Sequence, residues 1–218
     1  MIIRLINLCL ITLFLNPVLN AQQKVIDSSK ISLDLNIDVW SFEIDAFYNI
    51  LPNERNTTTL IGTADLDILH LESRYNYEAD KTLSFFGGYN FETGNEIEFG
   101  LTPMLGFSAG NLTAIIPGLE LSLSWKSLDY YSESEFVFDI KDNEDDFFYT
   151  WAELGITPVE NFRTGLAATR TLLYQSDLDF QRGAFAGYTF RKLTAIVYYF
   201  NPFNADESYL IASIGIEF

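Results

Sequence analysis

The chain of 218 residues is 48% hydrophobic, 16% aromatic and 20% charged, a balance that fits one folded domain and excludes a disordered chain. Its formal net charge of −17, from 30 acidic residues against 13 Lys and Arg, excludes the basic patch that nucleic-acid phosphates require. No nucleic-acid partner is expected, and the acidity suits a solvated loop surface.

The N-terminus carries Arg4, an apolar run over 5–15, then Asn16-Pro17 and a small residue at Ala21 before Gln22-Gln23. This layout predicts a cleavable signal peptide over 1–21, leaving 22–218 as one domain. The eleven residues of the run, at 1.5 Å rise, cannot cross a hydrocarbon core of roughly 30 Å. Cys9 is the only cysteine and lies inside the run, so the exported chain has no disulfide and relies on burial and hydrogen bonding. No later stretch is long and apolar enough for a transmembrane helix; apolar residues alternate with polar ones instead.

Alternation over 31–50 falls first on Ile31, Leu33, Leu35, Ile37 and Val39, then on Phe42, Ile44, Ala46, Tyr48 and Ile50. The parity flips at Trp40-Ser41, as it does across a two-residue hairpin turn; one bulged strand is the alternative. Residues 51–59 are polar, contain Pro52 and predict a connection. Residues 60–77 predict one strand with a bulge near Ile68. Further strands are expected over 82–91 and 96–107, joined by a turn at 92–95, with Pro103 tolerable only at an edge or irregularity. Residues 108–118 are assigned to a loop. A hairpin follows over 119–140, turning at Lys126-Ser127, with one apolar face and the other bearing Glu120, Asp129, Glu133, Glu135 and Asp139. The acidic stretch 141–146 is a loop, and strands are expected over 147–157, 162–174, 180–190, 193–200 and 208–218.

Connections at 92–95, 126–127, 158–161 and 191–192 are short and alternate with longer ones at 108–118, 141–146, 175–179 and 201–207, as in membrane barrels. The last strand sets Leu210, Ala212, Ile214, Ile216 and the terminal Phe218 on one face. It resembles the C-terminal strand of Gram-negative outer-membrane β-barrels. Residues 131–139, Tyr-Ser-Glu-Ser-Glu-Phe-Val-Phe-Asp, are similar to an uncharacterised small outer-membrane protein family. The resemblance implies an outer-membrane location, lipid and lipopolysaccharide as surroundings, and recognition of the strand ending at Phe218 by the barrel assembly machinery. The fold expected is an all-β, antiparallel up-and-down transmembrane β-barrel of about twelve strands, with ten as the alternative.

A soluble lipocalin-like barrel fits the same alternation. Acidic inner positions and aromatics near strand ends (Trp125, Phe147, Phe148, Tyr149, Tyr174, Tyr198, Tyr199) favour a wet lumen and interfacial girdles. Because an Arg on the lipid face at mid-bilayer costs roughly 2–4 kcal/mol, Arg170 and Arg182 are assigned inward. Lumen candidates are therefore His70, Glu72, Arg74, Glu120, Asp129, Glu133, Glu135, Glu153, Arg170 and Arg182.

Chemical motifs are sparse, and no catalytic, cofactor or metal residue is assigned. Residues 106–110, Gly-Phe-Ser-Ala-Gly, match a nucleophile elbow, but no helix follows and the only histidine, His70, lies upstream. Ser73 is three residues from His70 and faces oppositely, unlike the serine–histidine pair of outer-membrane lipid hydrolases. His70, Glu72 and Arg74 share a face, as in a salt-bridge ladder. The stretch Asp142-Asn143-Glu144-Asp145-Asp146 lacks the Gly of a calcium loop, Phe147 standing in its place. Two functions survive: a narrow passive cation-favouring channel for small solutes, or a non-conducting barrel serving as scaffold or surface partner. A lipid-active enzyme is a distant third.

Overall fold

The computed structural model describes residues 39–52, 55–141, 146–173 and 179–218. The signal segment, the strand expected over 31–39 apart from Val39, most of the acidic stretch after Lys141 and the connection after 173 lie outside them. Thirteen strands follow one another, and no helix occurs among the described residues. They are β1 (Ser41–Ile50), β2 (Thr57–Leu66), β3 (Leu69–Tyr75), β4 (Thr82–Tyr89), β5 (Phe91–Gly94), β6 (Glu98–Gly110) and β7 (Ala114–Trp125). The remainder are β8 (Leu128–Asp139), β9 (Phe147–Val159), β10 (Phe162–Leu173), β11 (Asp179–Phe190), β12 (Leu193–Phe200) and β13 (Tyr209–Glu217).

Each strand pairs antiparallel with its sequence neighbours, β1 pairs with β13, and β4 and β5 both pair with β6. β4 and β5 are one stave interrupted at Asn90, so the sheet closes as twelve staves, β5 running on past β3 with only β6 beside it. The interruption lies between the pairs Gly88↔Met104 and Phe91↔Leu101, beside Pro103, which has no N–H to donate. That is the irregularity the sequence required of this proline.

Three expected boundaries change, the first being that residues 92–94, expected in a turn, are strand β5 and the turn falls at 95–97. Residues 60–77 are a hairpin, not a bulged strand: β2 and β3 meet at the pair Leu66↔Leu69 around Asp67, whose φ is +51°. The parity flip at Ile68 is a two-residue turn of the same kind as Lys126-Ser127, where Trp125 pairs with Leu128. Residues 108–118 are mostly strand, because β6 and β7 extend to leave only 111–113 between them. Gly110, with φ of +141°, makes that corner: a Cβ there would lie 2.2 Å from the Lys81 carbonyl oxygen. Ser108 is fully buried, and its Oγ accepts from the Ala114 amide at 3.0 Å, so the Gly-Phe-Ser-Ala-Gly motif is a structural corner.

The tight turns 67–68, 95–97, 126–127, 160–161 and 191–192 fall at one end of the barrel, and the other connections, mostly longer and including the corner 111–113, at the other. The outer face is apolar and bare, with Phe85, Leu105, Leu166 and Phe190 each more than half exposed. Inside, one apolar cluster (Phe86, Met104, Ala114, Ile116, Val137) fills the side of β4, β6, β7 and β8. A second (Ala167, Phe185, Tyr198, Phe200, Ile211) lines β10 to β13.

Candidate functional site: the lumen and its two arginine clusters

Between the two apolar clusters, inward positions are polar. Strand alternation brings His70, Glu72 and Arg74 from β3 to the interior, together with Glu120 from β7, Asp129, Glu133 and Glu135 from β8 and Glu153 from β9. All eight point into the barrel, Asp129 toward Arg163.

Arg74 has no solvent exposure. Its Nε donates to Glu72 at 2.5 Å on its own strand, and across the barrel its Nη1 meets Glu133 at 2.6 Å and Glu135. Glu78, in the connection after β3, lies 3.8 Å from the same nitrogen. Tyr77 and Phe86 cover the guanidinium, their ring centroids 4.5 and 4.3 Å away. Phe86 can lie there only because residue 106 is glycine; a Cβ would come within 2.4 Å of the ring. Burial pushes the Glu78 carboxyl above its ordinary range, with the Ser84 hydroxyl bond and Arg74 opposing. Four carboxylates thus surround one guanidinium.

His70 adjoins this group. Its Nδ1 is 2.8 Å from Asp65, which is itself held by the Asn90 amide at 2.7 Å, and its Nε2 is 3.4 Å from Glu72. The salt-bridge ladder expected on β3 is present and extends to β2 and β8.

A second cluster centres on Arg163 of β10. It contacts Asp129 and, at 2.6 Å, Glu153, while Phe185 lies 4.6 Å beneath its guanidinium. Glu153 also accepts from Trp151 at 3.0 Å and Tyr198 at 2.8 Å. The Arg163 side chain retains 29% exposure.

Arg170 and Arg182 do not join either cluster; both point outward, correcting the expectation. Arg170 lies over Phe148 on the outer face and pairs with Phe180, and Arg182 pairs with Ala168. Each is three residues from the long-loop end of its strand, where an outward Arg costs only about 0–1 kcal/mol. The aromatics also divide by alternation. Trp125, Phe148 and Tyr199 face outward, whereas Phe147, Tyr149 and Tyr198 face inward and belong to the interior packing, not to a girdle. Arg163, Tyr77, Glu78, Asp65, Glu43 and Asp45 are interior groups absent from the sequence-derived set. Parity was the available signal for Arg163, which shares its face with Gly165, Ala167 and Thr169.

A cavity of about 710 Å³ runs beside the clusters. Asn49, Thr57, Thr171 and Asp179 line it at the long-loop end, and Glu43, Asp65 and Glu92 near the tight-turn end. Among the described residues nine carboxylates line it, with His70 the only basic side chain and no Lys or Arg.

No protein-family model and no curated protein matches the chain. Solved structures do match. The KdgM porin in complex with disordered oligogalacturonate aligns with TM-score 0.60 and 11% identity, covering 81% of this chain and 99% of that one. The NanC porin aligns with TM-score 0.58 and 13% identity, covering 80% and 98%. A further KdgM porin structure gives 0.55 and 12%, covering 81% and 98%. At these identities the likeness is one of fold: a closed barrel of matching size.

Proposed function

We propose that the barrel spans the outer membrane as a narrow passive channel for small solutes and favours cations. The observation that carries this reading is the cavity whose lining reaches from the long-loop end nearly to the tight-turn end and, among the described residues, bears nine carboxylates without a Lys or Arg. Charged rings in a low-dielectric wall select by sign, so such a lumen attracts cations and repels anions. The apolar outer face and the closed sheet supply the membrane fit. In this reading residues 1–21 are the export signal, the surroundings are lipid and lipopolysaccharide, and the last strand is the one read by the assembly machinery.

The porins of the same fold support the channel class but not a shared substrate. Oligogalacturonate, bound by one of them, is a polymer of carboxylated sugars. An acidic lumen repels such a chain, so the solutes here are neutral or cationic. The test is single-channel conductance of the refolded protein in planar bilayers under a potassium chloride gradient. Discrete steps with a cation-favouring reversal potential are expected.

A second reading, a non-conducting barrel acting through its loops, is favoured by one observation. The Arg74 cluster and the neighbouring apolar cluster close the β3-to-β8 side of the interior. Absence of steps from protein shown by heat-modifiable gel migration to be folded selects that reading.

A further inference from the structure

We propose that His70, Glu72 and Glu120 form a divalent transition-metal site in the wall of the lumen. Each offers a ligand atom, and the three atoms lie within 4.8 Å of one another; one ion at about 2.0–2.2 Å from each donor needs them within about 4.4 Å, a small side-chain adjustment away. The inference does not depend on whether the lumen conducts.

The histidine is oriented as a metal ligand is. Its Nδ1 is 2.8 Å from Asp65, and Asp65 is fixed in turn by the Asn90 side-chain amide at 2.7 Å and so cannot turn away. A carboxylate on Nδ1 holds a proton there, so an incoming ion displaces only the Nε2 proton and takes up that lone pair, the arrangement that fixes metal-binding imidazoles. Nε2 faces Glu72 Oε2 at 3.4 Å, longer than a good hydrogen bond, and that oxygen also accepts from Arg74 Nη2 at 3.1 Å. Two electron-rich atoms facing each other need a cation between them, either a proton or a metal ion. Glu120 completes the set from β7, its carboxylate held by the Tyr131 hydroxyl at 3.0 Å.

The surrounding charge favours the ion. Arg74 is the one guanidinium in contact with Glu72, and it is shared with Glu133, Glu135 and Glu78. One imidazole and two carboxylates suit zinc and its first-row neighbours better than calcium or magnesium, which take oxygen ligands alone. His70 lines the 710 Å³ cavity, which gives an ion an entry path.

The experiment is isothermal titration of zinc into the full refolded barrel at neutral pH, with Glu120→Gln and His70→Ala beside the parent. Glu120→Gln keeps the shape and the Tyr131 hydrogen bond and is the variant least able to disturb folding, which heat-modifiable migration checks. One saturable site per barrel is expected, weakened at least tenfold in each folded variant. Asp65→Asn, one bond removed from the ion, weakens it about tenfold. No saturable binding by the parent below about 1 mM, a weaker range than any dedicated site, overturns the proposal. So does parent-like affinity in folded Glu120→Gln or His70→Ala, since zinc is then held elsewhere.

Discussion

Two arginines hold the interior of this barrel, and they do it differently. Arg74 reaches across the lumen: its partners Glu133 and Glu135 stand on β8, which is separated from β3 by β4, β6 and β7 in the sheet. Arg163 reaches along the wall, to Asp129 and Glu153 on the adjacent staves β8 and β9. The first is dry and capped by aromatic rings, and the second keeps 29% of its side chain in solvent. A cross-lumen pair ties opposite walls and closes the space between them. A pair along the wall sets local charge and leaves the space open.

The largest effect expected on this contrast comes from Arg74→Ala. Removal strands Glu72, Glu133 and Glu135 without a counterion in a dry environment, a loss of about 3–5 kcal/mol. Urea unfolding followed by heat-modifiable migration measures it. Arg163→Ala leaves Asp129, which water reaches, and Glu153, which is buried but keeps its bonds from Trp151 and Tyr198, so a smaller loss of about 1–3 kcal/mol is expected. Equal destabilisation by the two would erase the distinction between closing and lining clusters. Their conductance phenotypes sharpen it: Arg163→Ala removes a cation from beside the path and shifts the reversal potential further toward cations.

A smaller change is expected from neutralising Glu43 and Asp45 together, as Gln and Asn. Both line the cavity near the tight-turn end, and neither is ion-paired among the described residues. Cation preference should fall with little loss of stability. An unchanged reversal potential in a conducting barrel would remove the β1 wall from the path.

How much of this was legible before the structure follows from what alternation encodes. Period two assigns faces without reference to partners, so the inward placement of His70, Glu72, Arg74, Glu120 and Glu133 was readable directly. Alternation does not encode which inward groups meet across the lumen. Glu72 and Glu133 are 61 positions apart and share Arg74 only because twelve staves close into a ring. Glu78 was invisible for another reason, lying in a connection where no periodicity marks direction; Tyr77, which alternation set at the end of a strand on the face of Leu71 and Tyr75, lies in that same connection and folds back over Arg74. At Ile68 the same flip of parity that marks the turns at Lys126-Ser127 and Arg191-Lys192 was present, and Asp67, a turn former, stood beside it. The bulge reading gave that flip the less economical cause.

Arg170 and Arg182 carry the smallest expected effect and the most direct test of face assignment. An outward Arg is costly at mid-bilayer, but that cost does not hold along the whole strand. Depth decides that cost, and it falls to about 0–1 kcal/mol near the interface, where both side chains stand. Alternation already opposed the inward reading, because Arg170 shares its parity with Leu166 and Ala168, and Arg182 with Phe180 and Ala184. Arg182→Ala is therefore expected to change unfolding stability by no more than about 1 kcal/mol. It should also leave the reversal potential where it was, since the barrel wall stands between that charge and the lumen. A shift in selectivity as large as that of Arg163→Ala would put Arg182 in the path and overturn the outward orientation of β11's even positions.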